Sequence, residues 1–157
     1  MGAALSACWP LLLGIGLMML GNGLQGSLLG IRANLEGFST GITGFIMSGY
    51  FVGFLFGSII APRILRSVGH VRVFAALASL ASSATLMHAV IADPFIWGVF
   101  RVLTGFCFAG LYIVSESWLN DAATNETRGQ ILSFYMVIVF AAMASWFFFI
   151  SDDVRVG

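Results

Sequence analysis

Apolar runs separated by short polar stretches dominate the chain, and they predict five membrane-crossing helices. No charged residue occurs in residues 1–31, 37–62 or 129–151. A bilayer core is crossed by about 20 apolar helical residues, so each of these runs is long enough. The predicted spans are residues 9–31, 42–61, 73–92, 94–119 and 129–149. Because the connections are short, neighbouring spans are expected to be antiparallel.

Residues at the span ends carry helix start and stop signals. Pro62 is expected to end the second span, because proline lacks a backbone N–H. Asp93 and Pro94 form an acidic N-cap followed by proline at the first helical position of the fourth span. Thr127 and Gln130 fit a capping box at the start of the fifth span.

The composition confines the chain to a membrane. Hydrophobic residues make up 59% and charged residues 9%, with a net charge of zero. A soluble domain carries about 25% charged residues. Cys8 and Cys107 have neither metal-ligand spacing nor a disulfide framework, and no catalytic set of side chains occurs. We therefore predict an all-α membrane protein, a single transmembrane domain over residues 1–157, with no enzymatic activity, cofactor, metal site or nucleic-acid partner.

The arginines predict the orientation of the spans. Cytoplasmic connections of membrane proteins carry an excess of Lys and Arg. Connections 2–3 and 4–5 together hold four arginines, whereas the opposite face holds one in connection 1–2 and one in the tail. We therefore predict a cytoplasmic N-terminus. The four are Arg63, Arg66, Arg72 and Arg128, and the two are Arg32 and Arg155.

The stretch GNGLQG, residues 21–26, matches the G-x-G-x-x-G spacing of dinucleotide-binding loops. Such a loop follows a strand and precedes an acidic residue about 20 positions on. Here the glycines lie inside a charge-free segment of helix length, and the sequence about 20 residues later, GFIMSG, has no acid. The stretch is therefore predicted to be membrane helix and not a nucleotide site.

Asn22 and Gln25 lie three residues apart within that helix and therefore share one face. Two side-chain amides at membrane depth are unfavourable unless they meet partners or water. They either hydrogen-bond a neighbouring helix, which stabilises by about 1 kcal/mol each, or line a polar cavity. These two residues alone leave both interpretations open.

Arg101 favours the cavity. It lies seven residues from the predicted outer end of the fourth span, roughly 10 Å deep at the rise of a helix. Asn22 and Gln25 lie about 13 and 9 Å from the same face, so the three are expected at one level. Arginine mid-span costs about 2.5–3.5 kcal/mol. A structural clamp on backbone carbonyls is the alternative to a functional role.

The face of Arg101 continues along the fourth span as a mixed polar stripe that ends at Glu116, near the loop arginines. The remaining members of that stripe are Thr104, Phe108, Tyr112 and Ser115.

Glycines in the second span predict close helix packing. Gly49, Gly53 and Gly57 are spaced four apart, which gives one smooth helix face. Gly105 on the fourth span is assigned the same packing role. His88 near the end of the third span is predicted to be an interfacial residue, with proton handling as the alternative.

Two motifs resemble the N-terminal half of the major facilitator superfamily of secondary transporters. RVLTGFCFAG, residues 101–110, resembles the family's fourth-helix motif through Arg101, Gly105 and Ala109. GSIIAPRILRSVGHVR, residues 57–72, resembles the signature between helices two and three, although Ala61 and Pro62 replace the family's aspartate and the loop is longer. The phrase GLYIVSESWLNDAATNETRGQ is similar to a bacterial branch of drug- and sugar-transporter-like members.

The resemblance implies a partial six-helix bundle in a bacterial inner membrane, truncated so that the sixth helix and the second half are missing. In such transporters two bundles rock about a midplane site. It implies that Asn22, Gln25, Arg101, Thr104 and Tyr112 face the cavity, where Arg101 holds an anionic group or perturbs a titrating partner. It also implies a cytoplasmic gating loop, formed by Gly57, Arg63, Arg66, Gly69 and Arg72 with Glu116 as their carboxylate partner.

These features favour a secondary active transporter of a small organic solute, coupled to protons or sodium and embedded in the lipid bilayer. Half of a rocking bundle has only one cavity wall, so transport is expected to need the missing half or a second copy. The alternatives are a membrane interaction or assembly protein without transport activity, and an inactive truncated product.

Overall fold

All regular secondary structure in the described residues is helical. The computed structural model describes the backbone of residues 2–153 and the side chains of residues 8–142 and 144. Helix order is α1 Gly2–Leu35, α2 Thr40–Val68, α3 His70–Val90, α4 Pro94–Ala122 and α5 Arg128–Asp153. No strand occurs in this part of the chain, which confirms the prediction of an all-α membrane protein.

Four helices are long and apolar enough to cross a membrane. Their described spans are Cys8–Leu35, Thr40–Val68, His70–Val90 and Pro94–Ala122. In the fifth helix, Arg128–Ala142 is apolar but shorter than a span over the part whose side chains are described. The crossing of residues 129–149 therefore stays a prediction, and the tail arginine, Arg155, lies outside the described residues.

The helices divide into two compact units. One unit is formed by Gly26–Ser117, which takes in the end of α1, all of α2 and α3, and most of α4. The other unit combines Met1–Gln25 with Trp118–Gly157. The single transmembrane domain stays a prediction, and each unit is described separately below.

A glycine turn ends α1. The Phe38 amide donates to the carbonyl oxygen of Ala33 (2.9 Å), and the Gly37 amide donates to that of Asn34 (3.0 Å). This pair of bonds is a Schellman motif, which requires a left-handed residue, and Gly37 has φ of +76°. Phe38 then packs onto a buried cluster that includes Ala33 and Trp97. The motif therefore carries the chain from α1 into α2 while it satisfies the last carbonyls of α1.

The structure corrects the predicted end of the second span. α2 continues through Pro62 to Val68, and α3 begins at His70. Proline removes only its own N–H donor, so the helix resumes beyond it, and Leu65 is buried. Gly69 is the whole link, with φ of +91° and its amide donating to the Leu65 carbonyl oxygen (3.0 Å). The prediction of a longer basic loop was wrong.

The start of α4 is as predicted. Asp93 Oδ1 accepts a hydrogen bond from the Ile96 amide at 2.9 Å, and Pro94 is the first helical residue. Thr127 directly precedes α5, but its hydroxyl accepts from the Thr124 amide at 3.1 Å, so it is engaged by the preceding turn and the predicted capping box with Gln130 is not among the described hydrogen bonds. An acidic N-cap thus fixes where the chain turns from α3 into α4.

Helices α2 and α4 touch backbone to backbone at their glycines. A Cβ atom added at Gly53 would overlap the carbonyl oxygen of Val102, and one at Gly105 would overlap that of Tyr50. A Cβ at Gly49 would lie 3.2 Å from the Gly98 carbonyl oxygen. Small residues allow this approach in membranes, where packing and not hydrophobicity drives helix association.

Candidate cavity site

Arg101 is buried with unsatisfied donors. It lies on α4, seven residues after Pro94, and is 7% exposed. Its Nε and Nη1 atoms are buried without a hydrogen-bond partner among the described residues. A guanidinium carries five N–H donors and cannot lose its charge. A clamp that saturates this side chain with carbonyls is therefore not what the described residues form.

Tyr50 lies beneath Arg101. The guanidinium carbon is 4.9 Å from the centroid of the Tyr50 ring, a cation–π contact. The glycine contact creates this arrangement, because Gly105 packs on the backbone of Tyr50 itself. Sequence reasoning missed Tyr50. The available signal was its position directly after Gly49, the first glycine of the packing face.

An aromatic ladder extends from Tyr50 along the contact of α2 with α4. The rings of Tyr50 and Phe54 are 6.1 Å apart, and those of Phe54 and Tyr112 are 6.2 Å apart. The predicted cavity residue Tyr112 is half-buried in this ladder. Thr104 is fully buried, and its hydroxyl donates to the Arg101 carbonyl oxygen at 3.0 Å. Thr104 thus uses its donor within α4 and retains only acceptor capacity.

The amides of α1 lie in the other unit. Gln25 is 7% exposed, and its Nε2 atom is buried without a hydrogen-bond partner among the described residues, whereas Asn22 is half-buried. α1 runs unbroken through residues 21–26, as predicted for the GNGLQG stretch. A common level for Asn22, Gln25 and Arg101 stays a prediction.

The predicted gating residues occupy helical positions at the link of α2 and α3. Gly57 is buried against α4, where an added Cβ would lie 2.9 Å from Ala109 Cβ. Arg63 and Arg66 lie exposed on the last turns of α2, Arg72 lies exposed on the first turn of α3, and Glu116 is exposed on α4.

A contact near this link joins α3 to α4. His70 Nε2 and Ser117 Oγ are 2.9 Å apart. It joins the first residue of α3 to the residue that follows Glu116, so the link and the end of that polar stripe lie on the same side of the unit. The gating role of these residues stays a prediction.

His88 corrects the prediction of an interfacial histidine. It is 3% exposed, and its ring centroid lies 6.0 Å from that of Trp97 and 5.5 Å from that of Phe100. Arg32 on α1 closes this end by donating to the carbonyl oxygens of His88 (3.3 Å) and Ala89 (3.0 Å). These are the final carbonyls of α3, where a cation is favourable. Aromatic residues of α4 bury His88, and the sequence pattern of α3 alone does not reveal them.

One groove in this unit is apolar. It has a volume of about 530 Å³ and lies between α2 and α4, with Ser48 its one hydroxyl among the described lining residues. None of the predicted cavity residues lines it. The buried polar residues Arg101 and His88 therefore do not line this groove.

Comparison with known proteins bears directly on the predicted resemblance. A Yersinia pestis (strain Pestoides F) protein named "Uncharacterized MFS-type transporter" is 32% identical over 97 residues, which cover 62% of this chain and 25% of that protein. The resemblance to the major facilitator superfamily (MFS) is confirmed. "Uncharacterized MFS-type transporter YcaD" of Escherichia coli O45:K1 is 25% identical over 130 residues, covering 83% of this chain and 34% of that protein.

The chain spans between a quarter and a third of the length of these MFS-type relatives. A similarly named protein of Enterobacter sp. (strain 638) is 24% identical over 130 residues, or 83% of this chain and 34% of that protein. No protein-family model and no solved structure matches the chain. The chain is thus a multi-pass membrane protein similar to part of MFS-type transporters.

Proposed function

We propose that the complete protein is a secondary active transporter of a small organic anion that works by alternating access. Arg101 carries this proposal, because it is a permanent cation, buried in a membrane helix, with two N–H groups that have no acceptor among the described residues. Ionisable residues inside membrane spans mark substrate or ion pathways. The names of the relatives support transport as the activity class.

The substrate anion is proposed to bind between Arg101 and the aromatic ladder of α2 and α4. Hydrogen bonds from a guanidinium to a carboxylate are charge-assisted and about twice as strong as neutral ones. Tyr50 and Tyr112 supply flat apolar faces for the rest of the solute. A proton or sodium ion is proposed to drive accumulation.

Transport is proposed to require a second cavity wall. The MFS-type relatives are three to four times longer than the matched segment, since that segment covers 25–34% of their length. The missing wall comes either from further helices of the same protein or from a second copy of this chain. No enzymatic activity is proposed.

The first experiment measures transport directly. The protein encoded by the complete reading frame is reconstituted into liposomes and offered a panel of small carboxylates, with matched amines and neutral sugars as controls. We expect gradient-dependent accumulation of at least one carboxylate, abolished by an ionophore that removes the driving gradient. Absence of any gradient-dependent flux in well-folded protein would contradict the transporter and favour the assembly or interaction role.

A second experiment tests the orientation, for which we propose a cytoplasmic N-terminus in a bacterial inner membrane. Four of the arginines outside the proposed spans belong to the proposed cytoplasmic face. His70 lies in the same sequence stretch as three of them, PRILRSVGHVR. The native thiols Cys8 and Cys107 are both buried, which keeps background labelling low. A Cys introduced at Arg66 should react with a membrane-impermeant maleimide only in inverted vesicles. Labelling in intact cells would reverse the topology.

A further inference from the structure

The tautomer of His88 follows from the hydrogen bond of its Nδ1 atom. Nδ1 lies 2.7 Å from the carbonyl oxygen of Ala84, one turn earlier on α3. A carbonyl can only accept, so Nδ1 carries the hydrogen. In the neutral ring Nε2 is then a bare acceptor. That Nε2 atom is buried and has no hydrogen-bond partner among the described residues. His88 therefore holds an unused proton-accepting position inside a membrane helix.

The groups around His88 leave this position open. The Trp97 indole N–H donates to the Ile91 carbonyl oxygen, so its one hydrogen is already used. Phe100 offers only a ring face. Arg32 from α1 contacts the His88 carbonyl, not the imidazole.

Four other titratable or charged groups belong to this region. Glu36 is ion-paired with Arg32 (3.4 Å), and Asp93 Oδ1 accepts from the Ile96 amide. Arg101 on α4, stacked on Tyr50 of α2, directly follows Phe100, whose ring centroid lies 5.5 Å from that of His88, so its charge is the nearest described on α4. A proton arriving at Nε2 therefore meets a nearby positive charge and no described carboxylate partner.

We propose that His88 is a proton-binding site linked to anion binding at Arg101. Protonation forms one N–H bond at Nε2 and breaks one O–H bond of hydronium, which leaves as water. The imidazolium and Arg101 repel each other while the site is empty. An anion held by Arg101 neutralises that repulsion, so the proton and the anion favour each other's binding by the same factor.

This inference rests on the proposed function, because it takes Arg101 as the anion-binding group. It specifies the coupling: a proton on His88 and an anion on Arg101 bind together, so that the loaded site carries the two opposite charges as a pair. Movement of both in one direction makes the transporter a proton–anion symporter. The proton is then the coupling ion of the proposed function.

The experiment observes the imidazole itself. The chain contains two histidines, so ¹⁵N-histidine labelling of the protein in nanodiscs gives two rings, and His70→Gln leaves His88 as the single signal. We expect the Nδ1–H tautomer at high pH. Acetate, benzoate and phosphate serve as anion probes and benzylamine as the matched cation. At least one anion should raise the titration midpoint of His88 by about one pH unit, a tenfold gain in proton affinity.

Controls separate coupling from a general effect. In Arg101→Gln the anion-induced shift should vanish while the ring still titrates. In Arg128→Gln, an exposed arginine outside the proposed cavity and gating residues, the shift should persist. An Nε2–H tautomer, no shift with any of the three anions, or an equal shift in Arg101→Gln would each overturn the proposal. Linked titration without flux in liposomes would contradict only the transporter. Flux without linked titration would contradict only the role of His88.

Discussion

Replacing Gly53 by alanine should disrupt the contact between α2 and α4. A Cβ at this position overlaps the carbonyl oxygen of Val102, a backbone atom that no rotamer change can move. The two helices must separate, which removes packing along their shared length. Overpacking costs about 1–3 kcal/mol where side chains can adjust, so a clash with backbone is expected at or above the top of that range. The measurement is the free energy of unfolding of the purified protein in mixed micelles titrated with SDS.

Gly44→Ala is the matched control on the same helix. A Cβ there meets nothing within 4 Å, and the position is exposed. Alanine is favoured over glycine in a helix by about 1 kcal/mol, so the variant should be neutral or slightly stabilised. Equal stability of Gly53→Ala and Gly44→Ala would contradict the close contact.

The reciprocal glycine on α4 tests whether the contact also positions the site. Gly105→Ala places its Cβ against the Tyr50 carbonyl oxygen, whereas Gly98→Ala meets nothing within 4 Å. The former should therefore both destabilise the protein and move Tyr50 from beneath Arg101. Because Gly53 and Gly105 lie in one contact, combining the two variants should cost less than the sum of their separate effects.

Sequence reasoning located the helices because the bilayer imposes a length and an apolar composition that can be counted. The same reasoning failed at Pro62, where the loss of a single N–H was treated as the end of a helix. It then read the exposed, arginine-rich end of α2 as a loop. The one-residue link at Gly69 depends on a left-handed backbone conformation. The arginine-rich composition of this stretch gives no sign of it.

The candidate site was half visible in the sequence. Arg101 could be found because charge inside a membrane span is rare and unfavourable. Tyr50 was missed, and proton handling by His88 was only an alternative, because the surroundings of each residue come from a different helix. The helical spacing within α2 shows on which face Tyr50 lies. It does not show that Gly105 brings α4 onto that face. The period of α3 likewise does not show Trp97 and Phe100 covering His88.

The two unpartnered groups in Gly26–Ser117 complement each other chemically. Arg101 offers donors that lack acceptors, and His88 offers an acceptor that lacks a donor. Buried polar groups are normally satisfied, and exceptions call for a specific explanation. An anion would supply acceptors for the Arg101 donors, and a proton would occupy the His88 acceptor. The proposed ligand pair would therefore satisfy both groups at once.

Replacing Arg101 by glutamine should then nearly abolish transport by the complete protein without unfolding it. Hydrogen bonds to charged groups contribute about 1.5–3 kcal/mol, so substrate affinity or turnover should fall about 10- to 100-fold. Arg101→Lys keeps the charge but loses the planar fork, and is expected to recover only part of the loss. The readout is carboxylate uptake into liposomes, normalised to folded protein.

Arg128→Gln supplies the comparison, because it removes the same charge from an exposed position at the start of α5, outside the proposed cavity and gating residues. Uptake should stay within about twofold at this order of magnitude. The opposite pattern, normal uptake in Arg101→Gln with a lower free energy of unfolding, would make Arg101 a structural residue held by Tyr50. The cation–π contact contributes about 0.5–2 kcal/mol. If Arg101 were purely structural, Arg101→Gln should lower the free energy of unfolding by no more than this amount. A variant that stays folded but no longer takes up substrate would therefore show a role beyond this contact.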